Sequence, residues 1–421
     1  MSNERQSVLA TLVRLTGDLN IAEDAVQDAA LRAAAAWRRD GVPENPRAWL
    51  ILTAKRRAID RIRRDAGRGP KEKEAAALAL QTAPDDPPDS VIRDDRLRLI
   101  FTCCHPALGA DAQIALSLRV LCGLSVAETG RALLVSEQTV AKRLTRARRK
   151  IADAGIAYRI PHDAELPERL RTVATTVFLM FTEAYASRSS GPHERRDLAD
   201  EAVRLGRMLV DIMPGEAVLE GLLATMLLQH SRRDARFDDA GRMLLLSEQD
   251  RARWDRPMAA EGVQRAATAV RLSAASAERF AVTAAIAACH AIAPTYPDTD
   301  WVAIVAWYDV LAVLDPSPVV ALNRAAAIAE RGDARAGLAE VDRIDGLEQY
   351  FWFHATRAEL LARLDRTDEA RDAASVALTL TESASQREQL IRRHGLAPSL
   401  PEATQVDADR LSKGVTEASG N

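Results

Sequence analysis

A chain of 421 residues is longer than the ~150–250 at which a single hydrophobic core stops growing, so two or three domains are expected. Hydrophobic content of 47% excludes global disorder, and only 4% aromatics beside abundant alanine favours helices over a strand-rich sandwich. The net charge of −3 hides an imbalance: residues 1–160 hold 27 Lys/Arg against 20 Asp/Glu, a net of +7, while residues 161–421 carry −10; the first part suits a polyanion, the second protein contacts.

Punctuation divides the chain into 1–65, a charged Ala-rich and Pro-rich linker over 66–90, a block over 91–157, a long block over 161–400 and a tail over 401–421. No segment alternates β-branched residues, so the whole chain reads as all-α. Runs such as Phe178–Phe181 and Met243–Leu246 fall far short of the ~20 apolar residues of a membrane span. No signal peptide is visible, which places the protein in the cytoplasm. Cys103, Cys104, Cys122 and Cys289 are too few and too irregular for a disulfide framework.

The first block reads as three helices. The first carries Val8, Leu9, Leu12 and Val13. The second is expected to start at Asn20, with Glu23 completing a capping box, and to bury Ile21, Ala25, Val26 and Ala29. It turns Glu23, Asp24, Gln27 and Asp28 outward as an acidic face. The third starts at Asn45-Pro46, a cap followed by Pro at the first helical position. Its Ile51, Ala54, Ala58, Ile59 and Ile62 share one face. Arg56, Arg57, Arg63 and Arg64 line the opposite arc, with Trp49 at the N-terminal end. Guanidinium groups neutralise phosphates and aromatics stack on unpaired bases; a solvated basic face with Trp49 packed on Trp37 is the alternative.

The block over 91–157 ends in the pattern of a helix-turn-helix. Ser125 and Glu128 form a capping box, Gly130 is small where the helices cross, Leu134-Val135 make the turn and Ser136 caps the second helix. Val140, Leu144, Ala147 and Ile151 form its buried stripe, while Gln138, Thr139, Lys142, Arg143 and Arg146 point outward. From Glu137 to Lys150 there are six basic residues and one acidic. Such a helix puts its N-terminal side chains on base edges and its flanking cations on phosphates; the alternative is a helical hairpin with basic ends. Cys103-Cys104-His105 reads as core packing and a turn at Pro106, because adjacent cysteines of a helix cannot both face one ion. The remaining histidines form no nucleophile or base constellation, and no phosphate loop is present. No cofactor and no metal is expected.

These two blocks resemble regions 2 and 4 of the extracytoplasmic-function (ECF) sigma factors, promoter-recognition subunits of bacterial RNA polymerase. The resemblance is carried by Leu15–Ala29, Pro46–Leu50, Ala58–Arg64, Leu99–Leu108 and the helix-turn-helix, and covers about residues 7–157. The block over 161–400 resembles the C-terminal extension of one ECF subgroup, itself similar to tetratricopeptide repeats. That part of the resemblance is carried by Gln249–Arg256, Ile286–Ala291 and Pro316–Ala325. In addition, Arg324–Asp333 echoes Arg357–Arg366 at an offset of 33 residues, near a repeat period; before Val320 an irregular helical domain is the alternative.

The resemblance implies a non-enzymatic subunit with two partners, the polymerase core enzyme and promoter DNA, and no membrane. Glu23, Asp24, Gln27 and Asp28 would then dock on the core enzyme. Trp49, Arg56, Arg57, Arg63 and Arg64 would serve the melted −10 element, and Glu137, Gln138, Thr139, Lys142, Arg143, Arg146 and Arg149 the −35 element. The acidic extension is expected to take a protein partner or to act on the basic regions in cis. The competing reading is a helix-turn-helix regulator on a repeat scaffold, acting without polymerase.

Overall fold

The first helix, α1 (Ser2–Thr16), buries Val8, Leu9, Leu12 and Val13, the face its spacing predicts. The second, α2 (Leu19–Asp40), begins earlier than the Asn20 reading. Asp18 is its cap, and Asp18 Oδ1 accepts from the backbone N–H of Asn20 at 2.8 Å and Ile21 at 3.1 Å. A carboxylate at the positive end of the helix dipole is the stronger cap, and Glu23 is thereby free for a distant partner. Asn45 caps α3 (Pro46–Arg64) through Ala48 N–H at 3.0 Å. Leu50, Ala54, Ala58, Ile59 and Ile62 are buried, closing a three-helix bundle with α1 and α2.

The computed structural model describes residues 2–64, 94–121, 123–133, 135–153, 166–186, 196–239, 242, 244–381 and 383–396; the expected linker at 66–90 and tail at 401–421 lie outside them. Next come α4 (Asp95–Cys103), α5 (Ala110–Leu121), α6 (Val126–Ala132) and α7 (Glu137–Asp153). The C-terminal half supplies α8 (Leu166–Ala186), α9 (Arg196–Ile212), α10 (Ala217–His230), α11 (Arg256–Leu272), α12 (Arg279–Ile292) and α13 (Trp301–Leu314). All secondary structure longer than a single bridge is helical among the described residues, and no helix there is long and apolar enough to cross a membrane.

Two compact units emerge. One joins 1–235 with 250–314, the other 236–249 with 315–421. These are not the blocks drawn from punctuation. In the first unit, α1 packs on α4, and α4 and α5 pack on α8. A continuous core runs from Val8 through Leu97, Phe101 and Leu116 to Phe181, Leu223 and Phe280. α10 is apolar on nearly every side because α9, α11 and α12 surround it.

The second unit contains two helical hairpins and a closing helix, α18 (Ala384–His394). The hairpins are α14 (Pro318–Glu330) with α15 (Ala334–Val341), and α16 (Phe351–Arg363) with α17 (Thr367–Thr379). Each element of the second hairpin starts 33 residues after its counterpart, the offset seen in the sequence. The turns repeat too. Asp333 N–H donates to Ile328 O at 3.2 Å and Arg366 N–H to Leu361 O at 3.0 Å, with Gly332 at φ 115° and Asp365 at φ 57°. Ala370 and Ala377, small where helices approach, are both buried.

Candidate nucleic-acid and polymerase interface

The helix-turn-helix is assembled from local signals. Ser125 accepts from Glu128 N–H at 3.1 Å, and Ser125 N–H donates to Glu128 Oε2 at 2.6 Å, the reciprocal capping box. Ser136 accepts from Thr139 N–H at 3.2 Å and so starts α7. Between them, Val135 N–H donates to Gly130 O at 2.9 Å; a Cβ on Gly130 would lie 2.8 Å from Val135 O. Gly130 is therefore required by the turn, and its weak helix propensity is the lesser effect. Leu134 lies outside the described residues.

On α7, Val140, Leu144 and Ala147 are buried and Ile151 is partly buried. Glu137, Gln138, Lys142, Arg146 and Arg149 are exposed, while Thr139 is half-buried. Arg143 is half-buried because its guanidinium meets Asp111 of α5 at 2.6 Å. The sequence reading did not anticipate that partner.

On α3, Arg56 and Arg63 are exposed, Arg57 is half-buried, and of the Arg64 side chain nothing is described. Trp49 is partly buried and packs edge-on to Trp37, ring centroids 5.7 Å apart. The acidic row of α2 faces cations. Asp28 lies 3.9 Å from Arg57 and Asp24 3.5 Å from Arg61. Glu23 pairs at 3.0 Å with Arg148 from the far end of α7. Gln27 is exposed. The basic and acidic faces read separately from the sequence are thus adjacent, and α7 reaches α2.

A buried ionic ladder surrounds the start of α4. Asp94 caps the helix through Arg96 and Leu97 N–H. Asp95 forms an ion pair with Arg14 of α1 at 2.8 Å and accepts a hydrogen bond from the Thr11 hydroxyl at 3.0 Å. Arg96 meets Glu201 of α9 at 2.6 Å, and Arg204 of α9 joins Glu201 at 2.7 Å to Asp94 at 3.0 Å. Burial alone would raise the Glu201 carboxyl, but the hydrogen bonds and charges of Arg204 and Arg96 outweigh it and hold Glu201 below the usual range. Burial lowers the Arg98 guanidinium, with Asp95 opposing and Arg14 assisting. From α8, Arg169 donates to Phe101 O at 2.8 Å. The sequence carried one overlooked sign of this: opposite charges, Asp94-Asp95-Arg96 and Arg98, embedded in the apolar run that ends in Phe101.

Cys103 and Cys104 are core residues. Cys104 Sγ contacts Ser117 Oγ at 3.8 Å, and burial pushes its thiol up to about 12. His105 Nδ1 accepts from Ala107 N–H at 3.1 Å, holding the turn at Pro106.

Comparison with known proteins follows this layout. Residues 2–68 match the Sigma-70 region 2 family, residues 98–151 match Sigma-70 region 4, and residues 169–270 match a family of unknown function, DUF6596. The two sigma regions coincide with α1–α3 and α4–α7. Over 141 residues the chain is 28% identical to the ECF RNA polymerase sigma factor SigK of Mycobacterium ulcerans (strain Agy99), covering 32% of this chain and 73% of SigK. The chain carries Sigma-70 regions 2 and 4 and is similar over them to extracytoplasmic-function sigma factors. The probable ECF sigma factor SigI of Mycobacterium tuberculosis (strain CDC 1551 / Oshkosh) is 30% identical over 147 residues, 34% of this sigma factor and 50% of SigI. An uncharacterized protein of Rhizobium meliloti (strain 1021) is 41% identical over 387 residues and 91% of each chain, so it shares the C-terminal extension as well. As a sigma factor the protein binds the polymerase core and directs transcription initiation at promoters.

Proposed function

We propose that this sigma factor divides promoter recognition between two surfaces. Glu137, Gln138, Thr139, Lys142, Arg143, Arg146 and Arg149 on α7 read and anchor the −35 duplex. Gln and Arg suit bidentate contacts to adenine and guanine, and the other cations suit phosphates. Trp49, Arg56, Arg57, Arg63 and Arg64 on α3 serve the −10 element during melting, where cationic and aromatic side chains hold a single strand. Glu23, Asp24, Gln27 and Asp28 on α2 dock on the core polymerase. The protein acts in the cytoplasm by binding and carries out no catalysis. The α8–α18 extension acts on the sigma regions in cis.

The observation that carries this reading is α7 itself: one stripe is buried, and the opposite row, led by Glu137 and Gln138 at the Ser136-capped end, is exposed. Run-off transcription with purified core polymerase tests it. Promoter-selective transcripts that depend on the protein are expected. Duplex binding without any such transcripts would favour a helix-turn-helix regulator acting alone. Truncation near Ala157 is a poor probe of the extension, because α8 covers Phe101 and Leu116 of the shared core.

A further inference from the structure

Arg143 stands at the border between the buried stripe and the exposed row of α7. At ~100° per residue its neighbours on the helix surface are Thr139 and Arg146, one turn away on either side. Its Nη2 meets Oδ2 of Asp111, in the first turn of α5, at 2.6 Å. The Asp111 side chain is 69% exposed and that of Arg143 26%. A pair this open to water adds little to folding. Asp111 also lies at the positive end of the α5 dipole, but that benefit needs no partner on α7. The pair sets a carboxylate beside a row of cations suited to phosphates, where it repels them. A contact that weakens general attraction to DNA and barely stabilises the fold has its use in choosing a sequence.

We infer that Asp111 is a positioning residue: it holds the Arg143 guanidinium ready to donate to the O6 and N7 acceptors of a guanine in the −35 element. The inference rests on the reading of α7 as the −35 helix. A free arginine stem samples many rotamers, and fixing one before binding removes that entropy from the cost of the base contact. The carboxylate takes one nitrogen of the planar fork, and the other N–H groups are left for a bidentate contact. Its charge acts a second time. Without Asp111, the head of Arg143 can swing to the nearest phosphate, a contact that every sequence offers. With Asp111 in place the swing breaks the ion pair, so the indiscriminate contact is disfavoured. A reversed base pair would present the cytosine N4 donor to the held guanidinium, donor against donor.

Holoenzyme reconstituted from the full chain and purified core polymerase tests this. Duplexes that the wild type selects from a randomised library define the cognate sequence, and a second library randomises only its −35 window. Asp111→Asn, a conservative change at an exposed site, should flatten the guanine preference at one position at least ~5-fold and leave the other positions unchanged. A random duplex should be bound as tightly as before, or up to ~5-fold more tightly. Arg143→Ala should flatten the same position, and the double variant should flatten it no further than Arg143→Ala alone. A merely structural pair would instead weaken all sequences together. Unchanged preference in Asp111→Asn, a loss spread evenly over the window, or additive losses in the double variant overturns the positioning role. If Arg143→Ala itself keeps the wild-type preference, or the wild type selects no duplex, the reading of α7 is what fails, and the inference falls with it.

Discussion

At Gly130 the cost of a methyl group is set by one backbone oxygen. A Cβ 2.8 Å from Val135 O must push the turn apart, and the turn carries the Val135–Gly130 hydrogen bond. Gly130→Ala is expected to destabilise the helix-turn-helix by ~1–3 kcal/mol, although Ala is the better helix former. Faster hydrogen exchange confined to α6 and the start of α7 would register it. Arg143 and Arg149 differ in kind. Arg143→Ala should weaken binding to the cognate −35 duplex by ~1–3 kcal/mol and relax base choice there. Arg149→Ala should weaken all duplexes alike and lower the salt slope by about 1. Filter binding on cognate and random duplexes across salt separates the two; identical behaviour would mean that α7 is placed wrongly on DNA.

At the scale of elements, α3 buries one face and exposes Arg56 and Arg63 on the other. Changing both to Ala should leave core binding intact and impair open-complex formation on duplex templates. Permanganate footprinting is the check: a pre-melted template should restore the signal, and an equal defect there would mean simple phosphate anchoring. In the repeat hairpins, Asp365 stands in a left-handed conformation at φ 57°, where the preceding hairpin has Gly332. Asp365→Gly should stabilise that unit by ~0.5–1 kcal/mol, because the strain on Cβ exceeds the entropy gained by the unfolded chain. Chemical denaturation measures it. A loss of stability would mean that the Asp365 side chain contributes more than its backbone costs.

At the scale of the molecule, the Glu201 ladder makes folding stability depend on pH. Arg204 and Arg96 hold the Glu201 carboxyl below its ordinary value of 4.5. A carboxyl with a depressed folded pKa contributes stability above its unfolded pKa and loses it as pH falls through the folded one. The contribution is therefore full at neutral pH and declines below about pH 4.5. Thermal midpoints between pH 7 and pH 3 should fall more steeply for the wild type than for Glu201→Gln. Parallel curves would remove Glu201 from the account. Other carboxylates with lowered pKa, Glu261 beside Arg207 and Asp255 capping α11, titrate in both proteins and cancel in the comparison.

Helical class, both capping signals of the helix-turn-helix, the buried stripe of α7 and the 33-residue hairpin offset were legible in the residues, because each arises from contacts within a few turns or from repetition. The ECF resemblance likewise lay in short ordered motifs. The start of α2 was misread by two residues because Asp18 and Asn20 are both capping residue types, and it is the Asp18 carboxylate that takes the Asn20 and Ile21 N–H groups. The partners of Arg143, Arg148 and Glu201 were out of reach: Glu23 and Arg148 are 125 residues apart, and no local periodicity pairs them. A sequence fixes which side chains carry charge and which face of a helix is apolar. Which charges meet is decided when distant helices bury their apolar faces against one another, and that packing put α1, α4 and α9 around a single core.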